Sequence, residues 1–136
     1  MARALSLSLT SMRGGIEHVP LRSGLNWGQR PGRNSDQAYI AIPSTERENP
    51  FFPPAGIIFE VSTDDGCRIA LVRAQQNGKA LESKPSNALL GAYFRERLGV
   101  PNGHTIRFDH LQQYGRTTVD FVLLTGGGYI LDFSSK

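Results

Sequence analysis

Two stretches hold most of the side chains that could hydrogen-bond a base or a phosphate. GLNWGQRPGRNSDQ (24–37) offers Asn26, Gln29, Arg30, Arg33, Asn34 and Gln37, with Asp36 its single acid. RAQQNGKALESKPSN (73–87) offers Arg73, Gln75, Gln76, Asn77, Lys79, Lys84, Ser86 and Asn87. An arginine can bond guanine O6 and N7 together, and an asparagine or glutamine can bond adenine N6 and N7. Lysines and further arginines can neutralise phosphate. Glycines let a backbone approach a partner closely. An ordinary hydrophilic surface is the alternative for each loop. Two such loops in one chain, both rich in amides and poor in acids, favour a paired binding surface. Trp27 is expected to anchor the root of the first loop rather than to stack on a base.

Catalytic chemistry has less support. His18, His104 and His110 are scattered, and none has a second ligand at a metal-binding spacing. Cys67 is the only cysteine, so it cannot form an internal disulfide, and it reads as a small residue beside a turn. There is no GxSxG, P-loop or GxGxxG. A metal-dependent nuclease would want an aspartate with a spaced Glu-x-Lys on an adjacent strand. Asp64 or Asp65 with Glu82 and Lys84 is the nearest match in spelling. Lys84, however, precedes a proline and a helix cap, so that triplet reads as a loop exit. No catalytic residue, metal or cofactor is therefore expected. Fifteen basic residues stand against twelve acidic ones, a net charge of +3 that agrees with a nucleic-acid partner without requiring one. No apolar run approaches the ~20 residues of a membrane span, and no leader is evident. The chain reads as soluble and cytoplasmic.

Short β-rich runs must position the two loops. LSLSLT (5–10) alternates like a half-buried strand, and AYIAI (38–42) is a second strand. The proline-rich 44–56 cannot be a central strand. IIFEVS and RIALVR flank TDDG, where Asp65-Gly66 predicts a hairpin. VDFVLL (119–124) and YILDF (129–133), joined by Thr125 and three glycines, predict another. Asp120 and Asp132 belong to the wet face of those strands.

The clearest helix is SNALLGAYFRERLG, with Ser86 as N-cap and an apolar stripe of Leu89, Leu90, Tyr93, Phe94 and Leu98. Arg95, Glu96 and Arg97 are expected to project away from that stripe. A second helix is expected over Asp109 to Tyr114. Many short strands with two short helices favour one domain, a small mostly-β barrel or sandwich.

GLNWGQRPGR, QAYIAIP, FFPP, TDDG, RAQQNGKAL, NALLGAYFRERLGV and YGRTTVDF occur in that order. Together they resemble the C-terminal domain of NgoFVII-type restriction endonucleases, over roughly residues 24–134. The resemblance implies a plant B3-like DNA-binding fold, a seven-stranded open pseudobarrel with two short α-helices. It is the fold of related domains in the BfiI and EcoRII enzymes, where two arms grip the major groove and read the target. In the NgoFVII type, cleavage belongs to a separate phospholipase-D-like domain with HxK motifs. None of the three histidines here is followed by lysine at the second position. The resemblance thus implies a recognition domain over 1–136, with 1–23 partly linker from a nuclease domain.

Its implied partners are double-stranded DNA, that nuclease domain of the same polypeptide and other restriction-modification subunits. The isolated domain is expected to be a monomer. By the same resemblance the N-terminal arm runs from Asn26 to Gln37 and the C-terminal arm from Arg73 to about Lys84. Arg73 reads a base or braces its arm, and Arg116 reaches phosphate or supports the barrel. Ser86 and Asn87 meet phosphate at a helix start. A compact nuclease and a protein-interaction barrel are the competing readings.

Overall fold

The computed structural model describes residues 3–135. Nine strands, two α-helices and three short 3-10 segments make a mostly-β domain. The strands are β1 (Arg3–Ser8), β2 (Ser11–Arg13), β3 (Ile16–His18), β4 (Ile40–Ala41), β5 (Phe59–Thr63), β6 (Arg68–Ala74), β7 (Ala80–Lys84), β8 (Thr118–Leu123) and β9 (Tyr129–Asp132). The helices are α1 (Ala88–Leu98) and α2 (Phe108–Tyr114). Seven strands form one sheet in the order β1-β8-β9-β5-β6-β7-β4. Its two edges, β1 and β4, lie against each other without pairing, so the sheet curls into an open barrel. This is the expected pseudobarrel.

Both predicted hairpins form. β5 and β6 pair antiparallel across Asp64–Cys67, and β8 and β9 across Leu124–Gly128. Gly66 has φ 89°, a conformation the tight turn requires and glycine adopts without cost. Inward residues of the strands fill the barrel: Leu7, Val61, Leu71, Leu81, Val119, Phe121 and Leu131 are all fully buried. At roughly 1.5–3 kcal/mol per fully buried side chain, this layer supplies much of the folding free energy.

Several boundaries differ from expectation. The first strand ends at Ser8, because the Ser8 hydroxyl turns back to accept from Thr10 N. Residues 3–23, within the segment expected to be partly linker, contribute β1, which pairs with β8 over six residues, and the small β2–β3 ribbon. Ile57 and Ile58 precede β5 and are exposed. The 44–56 segment is the expected non-strand loop, but its Phe51 and Phe52 are buried, Phe52 edge-on to Phe121 at 5.2 Å. Glu82-Ser83-Lys84 is not a loop exit; it lies in β7, opposite Val72, Leu71 and Ala70.

Helix α1 lies on the barrel with Leu90, Tyr93 and Phe94 buried, while Leu89 is exposed. Ser86 precedes the N-cap, which is Asn87. Arg95 is the largest departure. It does not project outward but is completely buried.

Candidate nucleic-acid interface

The first loop leaves the barrel as a 3-10 turn over Gly24–Gln29 and folds back on itself. Gly28 N donates to Gln37 O, and Gln37 N to Asn34 O. A side chain at Gly28 would meet Asn34 O at 2.2 Å, so glycine is needed for the close approach. Buried amides root the loop. Asn26 is fully buried; its Nδ2 donates to Pro20 O and Ile106 O, and its Oδ1 accepts from Ile106 N. Both of its N–H donors and one of its two acceptor sites are used in the core, so Asn26 belongs to the framework of the loop and not to its exposed face. Gln29 likewise spans Ser35 O, Gly103 O and the Thr105 hydroxyl.

Asp36 pins the far side of the loop. Its Oδ1 accepts from Gly103 N at 2.7 Å and lies 3.3 Å from Nε of the buried Arg95. Arg95 also donates to His104 O and Gly91 O. A Cβ at Gly91 would lie 1.7 Å from Asp36 O, so α1 and the loop meet backbone to backbone. Burial draws the Arg95 pKa downward, and the Asp36 charge opposes that. A buried guanidinium is tolerable only with such partners.

What this framework holds up is exposed. Arg30, Arg33 and Asn34 are exposed and Gln37 half-buried. Arg33 lies over the Trp27 ring, 4.0 Å from its centroid, and donates to Gln37 Oε1. Trp27 in turn meets Tyr39 edge-on. It is half-buried, and the anchoring role expected of it falls to Leu25 and Asn26. Arg30 donates through Nε to Arg22 O, and Asn34 Oδ1 accepts from Asp36 N.

The second loop is shorter than expected, residues 75–79, because β7 begins at Ala80. Gln76, Asn77 and Lys79 are exposed at its tip, and Lys84 is exposed at the far end of β7. Its backbone is strained: Gln75 has φ 65° and ψ 175°, Asn77 φ 62°, and Gly78 φ 62°. The Gln75 conformation is one that almost only glycine adopts, and such residues cluster at functional sites. Arg73 is buried and donates to Gly78 O and Arg47 O, so it braces the loop from beneath. Gln75 Nε2 donates to Glu82 Oε2.

Segment 38–42 links the two loops. Ala38 N donates to Asn87 O at one end, Ile42 N to Lys79 O at the other, and Ile40 and Ala41 pair with β7 between them. Four residue steps at about 3.3 Å place the two roots about 13 Å apart along one strand pair.

Three expected contacts are occupied within the protein. Ala88 N and Leu89 N bond the Ser86 hydroxyl and carbonyl, and Leu90 N bonds the Ser83 hydroxyl, so the start of α1 has those N–H groups engaged. Arg116 donates to Asp132 O and Ser134 O and pairs with Asp120 and Asp132, tying β8 to β9. Asp64 and Asp65 are gripped by Arg97, which also bonds the Tyr93 and Tyr114 hydroxyls. Burial raises the Asp64 carboxyl, but Arg97 and the Phe133 N–H outweigh it and hold it below the ordinary carboxylate value. The Thr63 hydroxyl chiefly does the same for Asp65.

Glu82 and Lys84 are on a strand, but Val72, the partner of Glu82, lies four steps, about 13 Å, beyond the start of β6 beside those aspartates. Among the described residues, no group of three His, Cys, Asp or Glu side chains could hold a metal ion. No helix among them is long and apolar enough to cross a membrane.

An open seven-stranded barrel is consistent with the pseudobarrel of a B3-like DNA-binding domain. The chain belongs to the NgoFVII C-terminal B3-like DNA-binding domain family, whose model matches residues 3–125. No curated protein matches the chain. DNA is accordingly its partner.

Proposed function

We propose that the chain binds duplex DNA sequence-specifically through the major groove, with the 24–37 and 75–79 loops as its two arms. The observation that carries this is the placement of both arms on one β4–β7 pair, with roots about 13 Å apart. The major groove of B-DNA is about 12 Å wide, so one arm can enter along each wall. Arg30, Arg33, Asn34 and Gln37 of the first arm, and Gln75, Gln76, Asn77 and Lys79 of the second, supply donors and acceptors. Lys84 supplies charge for phosphate. Asn26, Gln29, Asp36 and Arg73 act beneath the surface, holding the arms in shape.

In this reading the domain is the target-recognition part of a type II restriction endonuclease, cytoplasmic and monomeric in isolation. Cleavage belongs to a nuclease domain of the same full-length polypeptide, working with the other restriction-modification subunits. The resemblance in sequence and the family membership support that role.

Selection of bound sequences from a random duplex pool tests the proposal. One enriched motif of several base pairs is expected. Recovery of unenriched sequences, with binding that depends only on salt, would reduce the domain to a non-specific DNA binder.

A further inference from the structure

Between the arms lies a carboxylate that the family assignment does not explain. Glu82 sits in β7 and is 8% exposed, yet among the described residues it forms no ion pair. A negative charge under a DNA-binding surface opposes phosphate, and burial without a counter-ion adds a desolvation cost. A glutamine would fit the same space without either penalty. Besides its charge, the carboxylate differs from glutamine in that both its oxygens are acceptors.

Both acceptors are used, and on two different elements. Oε2 accepts from Gln75 Nε2 of the C-terminal arm at 3.1 Å. With the Asn87 amide turned so that both its ends are satisfied, its nitrogen donates to Glu82 Oε1 and to Ser83 O, each at 3.2 Å. Asn87 also carries the N-terminal arm, since its carbonyl accepts from Ala38 N. The two amides are thereby fixed end for end. Gln75 keeps its oxygen and one N–H for a base edge, the pair that adenine N6 and N7 require. Asn87 has both ends of its amide satisfied within the protein and serves as the fixed donor to Glu82.

We propose that Glu82 is a specificity-determining positioning residue: held on one side by the Asn87 amide, it accepts from Gln75 on the other and so sets which end of the Gln75 amide faces the DNA. The inference rests on the two-arm reading of the major groove. Glutamine at this position would offer one acceptor and one donor. With Asn87 fixed as a donor to the glutamine oxygen, Gln75 would have to turn over and present the opposite pattern to its base.

The test selects duplexes from a random pool with the unmodified chain and with Glu82→Gln, and follows the melting temperature of both. We expect Glu82→Gln to stay folded and to lose its preference at a single base-pair position, by on the order of tenfold, with the other positions retained. A variant that merely loosens the fold would lower affinity for all duplexes alike. That outcome, or an unchanged motif from a folded variant, overturns the proposal. Should Glu82→Gln fail to fold, Glu82→Met, which keeps the bulk and accepts from neither amide, decides. Loss of preference at one position supports the orientation role, and an unchanged motif overturns it. If the unmodified chain itself enriches no motif, the two-arm reading fails first and the role of Glu82 falls with it.

Discussion

The Arg33 guanidinium is stacked on the indole of Trp27, 4.0 Å from the ring centroid, and donates to Gln37 Oε1 at 2.8 Å. Its plane is therefore set before any ligand arrives, and less side-chain entropy remains to be lost on binding. A bidentate bond to guanine needs just such a fixed, planar fork.

Arg33→Ala is expected to weaken the selected duplex by about 1–3 kcal/mol while leaving a scrambled duplex nearly unaffected. Trp27→Leu, which keeps Arg33 but removes its platform, should lose a smaller part of the same discrimination. Anisotropy titrations on both duplexes check this. Equal losses on the two would make Arg33 a phosphate contact.

Asp36→Asn removes the charge opposite a buried guanidinium. Breaking a buried pair by deleting one partner costs about 3–5 kcal/mol, so a large drop in denaturant midpoint is expected. Gly91→Ala should be as damaging, since its Cβ would overlap the Asp36 carbonyl. Chemical denaturation of each variant gives the comparison. A Gly91→Ala protein of full stability would mean that the loop does not sit on α1 as described.

Much of this was legible in the sequence, and what was not has a common cause. Asp65-Gly66 and the Gly126–Gly128 run announced their hairpins because turn chemistry is local. The stripe Leu90, Tyr93, Phe94 announced α1 for the same reason. The two polar loops were visible as clusters of amides and guanidinium groups. Their inner organisation was not. Asn26 resembles any loop asparagine, and its partner Ile106 is eighty positions away. Arg95 looked like a solvated charge because its counter-charge, Asp36, belongs to another element. Gly28 reads in the sequence as a glycine for close approach to a partner, whereas the backbone it approaches is the loop's own. Glu82 was hidden by Pro85, which suggested a loop where β7 in fact runs to Lys84. A clue was present, since Ala80, Glu82 and Lys84 alternate with Leu81 and Ser83 at the strand period.

Acid should loosen the end of the barrel opposite the second arm. Asp64 and Asp65 titrate below the ordinary carboxylate value in the folded chain. A carboxylate depressed by folding adds stability above its unfolded pKa, and that stability is lost as pH falls through the folded value. The effect should thus be full above about pH 4, the unfolded aspartate value, decline below it, and disappear once the pH is under the folded value. Thermal melts of the unmodified chain and of Asp64→Asn across this range check it. The difference in melting temperature should shrink toward zero in acid. A constant difference would show that Arg97 does not depend on the charge of Asp64.

Asn77→Gly separates function from stability. Asn77 is exposed, at φ 62°, with no hydrogen-bond partner among the described residues. Glycine adopts that conformation freely, so stability should change by less than about 0.5 kcal/mol. Discrimination between duplexes should still fall, because a tip donor is gone. Paired melting and binding measurements would show one change without the other. Unaltered discrimination would remove Asn77 from the reading surface.

The most direct measurement is a titration of the intact chain, at physiological salt, with its selected duplex and with a scrambled duplex of the same composition. Two arms reading base edges predict binding of the selected duplex at least about 1,000-fold tighter. Equal affinity for the two, falling together as salt is raised, would contradict sequence-specific recognition.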